Sequence, residues 1–177
     1  MGVPSQFMID QVEGALIALL TTTVPAPYGL SVLADGPPIP IDVNTVNSQD
    51  FNAEGQLAIN PPAQRVQFSD AEYGNLRDNQ RLTYEAGLLF NIGCFVENLY
   101  SKAEERKSML GLVGVTLNQL AGARLALADG TSSMPIELKR VSLVVNDDDG
   151  PVTQFFVITV LVKGIAQFNG PNARFGL

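Results

Sequence analysis

From Leu82 to Glu97 the chain alternates for sixteen positions. Leu82, Tyr84, Ala86, Leu88, Phe90, Ile92, Cys94 and Val96 form one set, and Thr83, Glu85, Gly87, Leu89, Asn91, Gly93, Phe95 and Glu97 the other. A period of two puts successive side chains on opposite sides of an extended backbone, so this predicts a long strand with one face in the core. Gly87 and Gly93 predict a bulge, or a place where another backbone comes close. Phe7 to Leu20 has a different period. Met8, Val12, Ala15, Leu16 and Leu19 recur at three- and four-residue steps, the stripe of an amphipathic helix. Ser5 is placed to cap its N-terminus, and Thr21, Thr22, Thr23 and Pro25 to end it. A second stripe, Met109, Val113, Leu117 and Leu120, predicts a helix over 109–121. It should begin near Leu110, because Gly111 and Gly114 weaken its first turns, and close at Gly122.

Ile136 to Val145 and Val152 to Phe168 read as two strands joined by the turn Asn146-Asp147-Asp148-Asp149-Gly150-Pro151, a long antiparallel hairpin. The last strand is apolar on both faces over Phe155 to Val162, as a central strand should be. Arg65 to Ser69 reads as a short strand and Asp70 to Asn79 as a polar loop. Val24 to Pro62 fits neither period and holds seven of the eleven prolines. Short extended pieces, Leu30 to Leu33 and Ile39 to Val43, fit between them. Ile39, Ile41, Val43, Val46, Phe51, Leu57 and Ile59 recur there without a period, which predicts an extended arm over 24–62 that makes much of its contact outside its own subunit's core. Residues 169–177 form a patternless C-terminal tail. The sum is one α+β domain over 1–177: a mostly antiparallel sheet with two helices packed on one face, plus the long Pro-rich irregular arm. Its core should combine Leu88, Phe90 and Ile92 with Val12, Leu16, Val113 and Leu117.

Composition narrows the chemistry. Of 177 residues 46% are apolar and 16% charged, which describes a chain that folds but carries little polar surface for a lone domain. Surface covered by partners would account for that. The chain has no histidine, so every His-based triad, zincin motif and imidazole base is excluded. One cysteine forms no internal disulfide, and no zinc-ligand spacing exists. Met1–Ser5 lacks the basic region of a signal peptide and no apolar run is long enough for a membrane helix, so we expect a protein made in a reducing cytoplasm and used or assembled there, with no membrane partner. Net charge is −7, and six acidic residues with no Lys or Arg precede Arg65, leaving −7 − (−6) = −1 for the rest. Phosphate-neutralising contact with nucleic acid is not expected of such a chain.

No catalytic, cofactor or metal site emerges, and we expect no enzyme. Asp147, Asp148 and Asp149 lack the distant bidentate Glu of a calcium loop and read as a charged turn. Cys94 falls on the apolar face of a strand with no base to activate it, and so reads as a small core residue. Glu85 and Glu97 are too far apart along one strand to pair as acid and base. Gly111-Leu112-Val113-Gly114 lacks the Lys and Ser/Thr of a phosphate loop. Ser101 to Lys107 reads as a solvated mixed-charge turn that could reach a partner.

The order of these elements carries a resemblance. An N-terminal helix and a Pro-rich stretch precede the strand Tyr84-Glu85-Ala86-Gly87-Leu88-Leu89-Phe90-Asn91-Ile92. A charged loop and a helix ending Leu120-Ala121-Gly122 follow, and then Leu138-Lys139-Arg140-Val141-Ser142-Leu143-Val144-Val145-Asn146-Asp147 and a final strand. Over about Phe7 to Phe168 this resembles the Mu-like minor tail or tail terminator proteins of long-tailed bacteriophages. It rests on layout, without an invariant motif, and the stretch from Asp35 to Pro62 is longer than typical members carry. The resemblance implies a virion subunit of the neck that forms a hexameric ring, caps the tail tube, stops its polymerisation and meets the head-side connector, with the tail sheath a further candidate partner. DNA would pass through without specific binding. The channel should then be neutral or acidic, with the acidic residues before Arg65 and Asp147–Asp149 the candidates to line it. Arg124, Lys139, Arg140 and Lys163 are the candidates to meet acidic groups on a neighbour. Other readings are another neck or tail-completion subunit, the tube protein, or a small ligand- or peptide-binding module.

Overall fold

The computed structural model describes residues 8–22, 41–55, 58–59, 62–78, 82–96, 102–128, 130–145 and 154–168, with 102–109 and 154 described by backbone alone. The elements are α1 (Ile9–Thr22), β1 (Asp42–Thr45), a 3-10 turn (Ser48–Asp50), β2 (Ala63–Asp78), β3 (Thr83–Phe95), α2 (Lys102–Leu120), β4 (Glu137–Val145) and β5 (Gln154–Gln167). Five strands form one sheet in the order β1-β2-β3-β5-β4. All neighbours are antiparallel except β1 and β2, which run parallel. The expected α+β architecture is what is found.

β3 is the organising strand. Its register with β5 is unbroken from Thr83↔Gln167 to Cys94↔Phe156, so Leu88, Phe90 and Ile92 stand beside Val162, Val160 and Ile158 on one face. All six are essentially inaccessible, and they share one cluster with Val12, Leu16 and Leu20 of α1 and Leu112, Val113 and Leu120 of α2. Both helices therefore cover this face, and the other is called the open face below. Of the expected core, Leu117 is only half-buried against the cluster, while Leu20 and Leu112 join it; Met8, from the first helix's stripe, is exposed.

Two boundaries and the position of the bulges differ from expectation. The polar run from Asp70 to Asp78 is not a loop, because β2 continues through it to make sixteen residues. Pairing with β3 overrides its poor intrinsic strand preference, and as Ser69–Arg77 is exposed apart from Ala71, no alternation marks it. Bulges sit in β2, between Phe68 and Asp70 and beyond Tyr73, rather than at the β3 glycines. The second expectation for those glycines takes a side-chain form at Gly93, where an added Cβ would lie 2.8 Å from the Phe95 ring. Helix α2 starts at Lys102, not near Leu110. Lys102-Ala103-Glu104-Glu105-Arg106-Lys107 is built of good helix formers, and that preference outweighs the two glycines.

The connection from α2 to β4 went unread in the sequence. Gly122 takes φ +71° after the helix, as a C-terminal cap should, and its N–H donates to Ile136 O at 3.2 Å. The chain then folds a small loop closed by an Ala126–Ser132 bridge, which buries Leu125 and Leu127 in the main core. The turn at 146–151, the tail 169–177 and the arm residues 24–40 lie outside the described residues.

Candidate functional site

The described part of the arm is built into its own subunit. β1 pairs with β2, Ile41 and Val43 pack on the core, and Ile59 is buried with Ala63 and Phe95. Among the described residues 41–55 and 58–59, this segment joins its own subunit's sheet and core, against the expectation that much of its contact lies outside that core. Arg65 fastens this segment. It stands opposite Gly93 on the open face and is buried. Its Nε donates to Asp50 Oδ1 at 2.8 Å, its Nη2 to Asp42 Oδ2 at 2.7 Å and its Nη1 to Asp42 O at 3.0 Å. Burial works against the guanidinium charge, but these carboxylates more than offset it and raise its pKa. Asp50 is itself buried, and its second oxygen accepts from Asn47 N at 2.9 Å. It therefore cannot line a channel, and Asp42 is committed to Arg65. Asp10 and Glu54 are exposed and Glu13 half-buried; Asp35 and Asp147–Asp149 lie outside the described residues.

Cys94 is fully buried, its Sγ 3.8 Å from Thr116 Oγ1, which also takes a hydrogen bond from Gln64 Nε2 at 2.6 Å. Burial pushes its thiol up to about 12, with the Thr116 contact pulling weakly the other way. Such a thiol is a packing group. Native protein at pH 8 should react with a disulfide-exchange dye only slowly, and urea-unfolded protein at once; a fast native burst would show that Cys94 is accessible. Glu85 pairs with Arg77, and Glu97 lies outside the described residues. Among the described residues no group of His, Cys, Asp or Glu is arranged to hold a metal ion, and no helix is long and apolar enough to cross a membrane.

A groove of about 230 Å³ crosses the open face between Glu72, Glu85, Gly87, Leu161 and Lys163. Two of its charges are already engaged, Glu85 with Arg77 and Lys163 with Glu137 at 2.6 Å. Lys139 lies 2.6 Å from the other Glu137 oxygen, and the two ammonium groups hold that exposed carboxyl at about 2. Arg124 donates to Ser133 O at 3.2 Å. Of the four cations expected to reach a neighbour, three thus have contacts within their own subunit, and Arg140 is exposed.

The less ordinary surface is β4. Among the described strands it pairs with β5 alone, so its outer side ends the sheet. Leu138, Val141 and Leu143 pair with Val160, Ile158 and Phe156, which places them on the helix-covered face. The helices do not reach across them. Leu138, Val141, Leu143 and Val145 are between 41% and 55% exposed, a row of aliphatic side chains beside an unpaired strand edge. Such an edge invites another chain, and isolated proteins usually blunt it. The period-two reading found the strand; its unpaired side was not visible because strand order is not written in alternation.

No protein-family model matches the chain, and no curated protein matches it. The fold, however, has a counterpart. It is similar to a chain in the virion of the native gene transfer agent (GTA) particle, with a TM-score of 0.52 and 14% identity, covering 90% of this chain and 100% of that one. At that identity the likeness is one of fold.

Proposed function

We propose that the chain is a structural subunit of a phage-like virion: a tail terminator that closes into a hexameric ring, caps the tail tube, stops its polymerisation and joins the tail to the head-side connector. The observation that carries this is the likeness in fold to a GTA virion chain over that chain's whole length. The sequence layout resembling tail terminators supports it independently, and so does an aliphatic edge strand suited to an assembled protein. A head-to-tail contact closes into a ring when its rotations sum to a full turn, and such a ring caps a tube of matching symmetry. The role is one of shape and contact, without catalysis, and its place is the virion after assembly in the host cytoplasm. Negative-stain images of the purified protein should show sixfold rings. Monomers at high concentration, or tubes that grow without limit, would sink the reading.

A further inference from the structure

Three aromatic rings gather where β2 and β5 end and β3 begins. Tyr73 and Tyr84 each meet Phe168 edge to face, with ring centroids 5.5 Å and 5.8 Å apart. Tyr73 pairs with Ala86, and Tyr84 with Leu76 and Ala166, so these side chains and Leu76 share the helix-covered face. Tyr73 is 48% exposed and Leu76 38%, so the helices do not roof this end of it. Among the described residues neither tyrosine hydroxyl has a hydrogen-bond partner. The chain also contains one Pro-x-x-Pro sequence, Pro37-Pro38-Ile39-Pro40. Such a sequence is pre-set for a polyproline II helix, whose carbonyls make no internal hydrogen bonds, and aromatic-lined surfaces recognise it. It is unsuited to the bare edge of β4, because its prolines lack the N–H groups that strand pairing needs.

We infer that segment 37–40 of one copy docks on the patch of Tyr73, Tyr84 and Phe168 of a second copy. This rests on the ring reading and names a contact that holds neighbouring subunits together. Reach decides for a second copy. Asp42 pairs with Ala63, and Tyr73 lies about 30 Å further along β2 at ~3.3 Å per residue. Fully extended, the links from Pro37 to Asp42 span at most about 18 Å, so the segment cannot cover the patch of its own subunit. The tail 169–177 leaves from the patch at Phe168, but it has a single proline and no such motif. In the docked pair the proline rings pack on the aromatic faces, and the two hydroxyls donate to carbonyls of the segment.

Photo-cross-linking of the full chain tests this. With p-benzoylphenylalanine in place of the exposed Leu76, beside the rings, illumination should give a covalent dimer on a denaturing gel. Mass spectrometry should find position 76 joined to residues 36–41. Cross-links within one chain, cross-links to the tail, or none would overturn the contact. A cycle of variants gives a second readout. Tyr73→Ser, and separately Pro37→Gly with Pro40→Gly, should each move half-assembly to roughly tenfold higher concentration by light scattering. Circular dichroism should show both folded. Combining them should move it no further, because both remove one and the same contact. Unchanged assembly, or effects that multiply to about a hundredfold, would count against the pairing. A monomeric wild type would overturn the ring reading and this contact with it, whereas rings without the cross-link would overturn the contact alone.

Discussion

Replacing Phe90 with Ala should cost about 3–5 kcal/mol of folding stability, the usual range for deleting a buried aromatic ring. Phe90 is fully buried in the middle of β3, between Phe68 on β2 and Val160 on β5. It meets Phe68 edge to face with ring centroids 5.8 Å apart. Both helices close over that face, so the cavity could shrink only by moving elements that hold each other in place. Leu89, its half-buried neighbour on the open face, is the control and should cost about 1–2 kcal/mol as Ala, in proportion to the smaller area covered. Urea denaturation measures both. A loss below roughly 1 kcal/mol at Phe90 would mean that the helices cover the other face.

Arg65→Met should be comparably severe, at about 3–5 kcal/mol, because it strands Asp50 as a buried carboxylate without its cation. Among the described residues, the Asn47 N–H alone would still donate to that group. Asp42 would suffer less, since more than half of its side chain is exposed. Removing the stranded charge as well, in Arg65→Met with Asp50→Leu, should recover part of the loss. Hydrogen exchange gives a local readout: β1 should lose protection before β3 does, because Arg65 ties the 41–55 segment to the sheet. Equal loss in both strands, or a single variant near wild-type stability, would contradict this account of the pair.

The sequence made legible what burial enforces. β3, covered by helices on one face and open on the other, shows its period because one side of it must be apolar, and the stripes of α1 and α2 exist for the same reason. β2 shows how the signal fails. Its first four residues, Ala63–Val66, are all buried and the stretch beyond Phe68 is mostly exposed, so neither part alternates. Arg65 was readable only as the first cation in the chain. Its two carboxylates lie 15 and 23 residues away, a juxtaposition that parallel pairing creates and composition does not reveal. The β4 edge was hidden similarly, since Ile136 to Val145 read as one strand of a hairpin and only the strand order leaves it at the margin.

The strand order also sets a timetable. β2 and β3 adjoin in sequence and can zip together early, but Phe90 and Val160 are seventy residues apart and must wait for α2 and the β4 segment to be made. β4 has no other described strand to lean on than β5, the last one synthesised. Its sticky margin therefore takes shape only once the C-terminal strand has slotted between β3 and β4. A nascent or truncated chain would lack the finished edge, so under the proposed assembly role joining would wait until the subunit's own folding is complete.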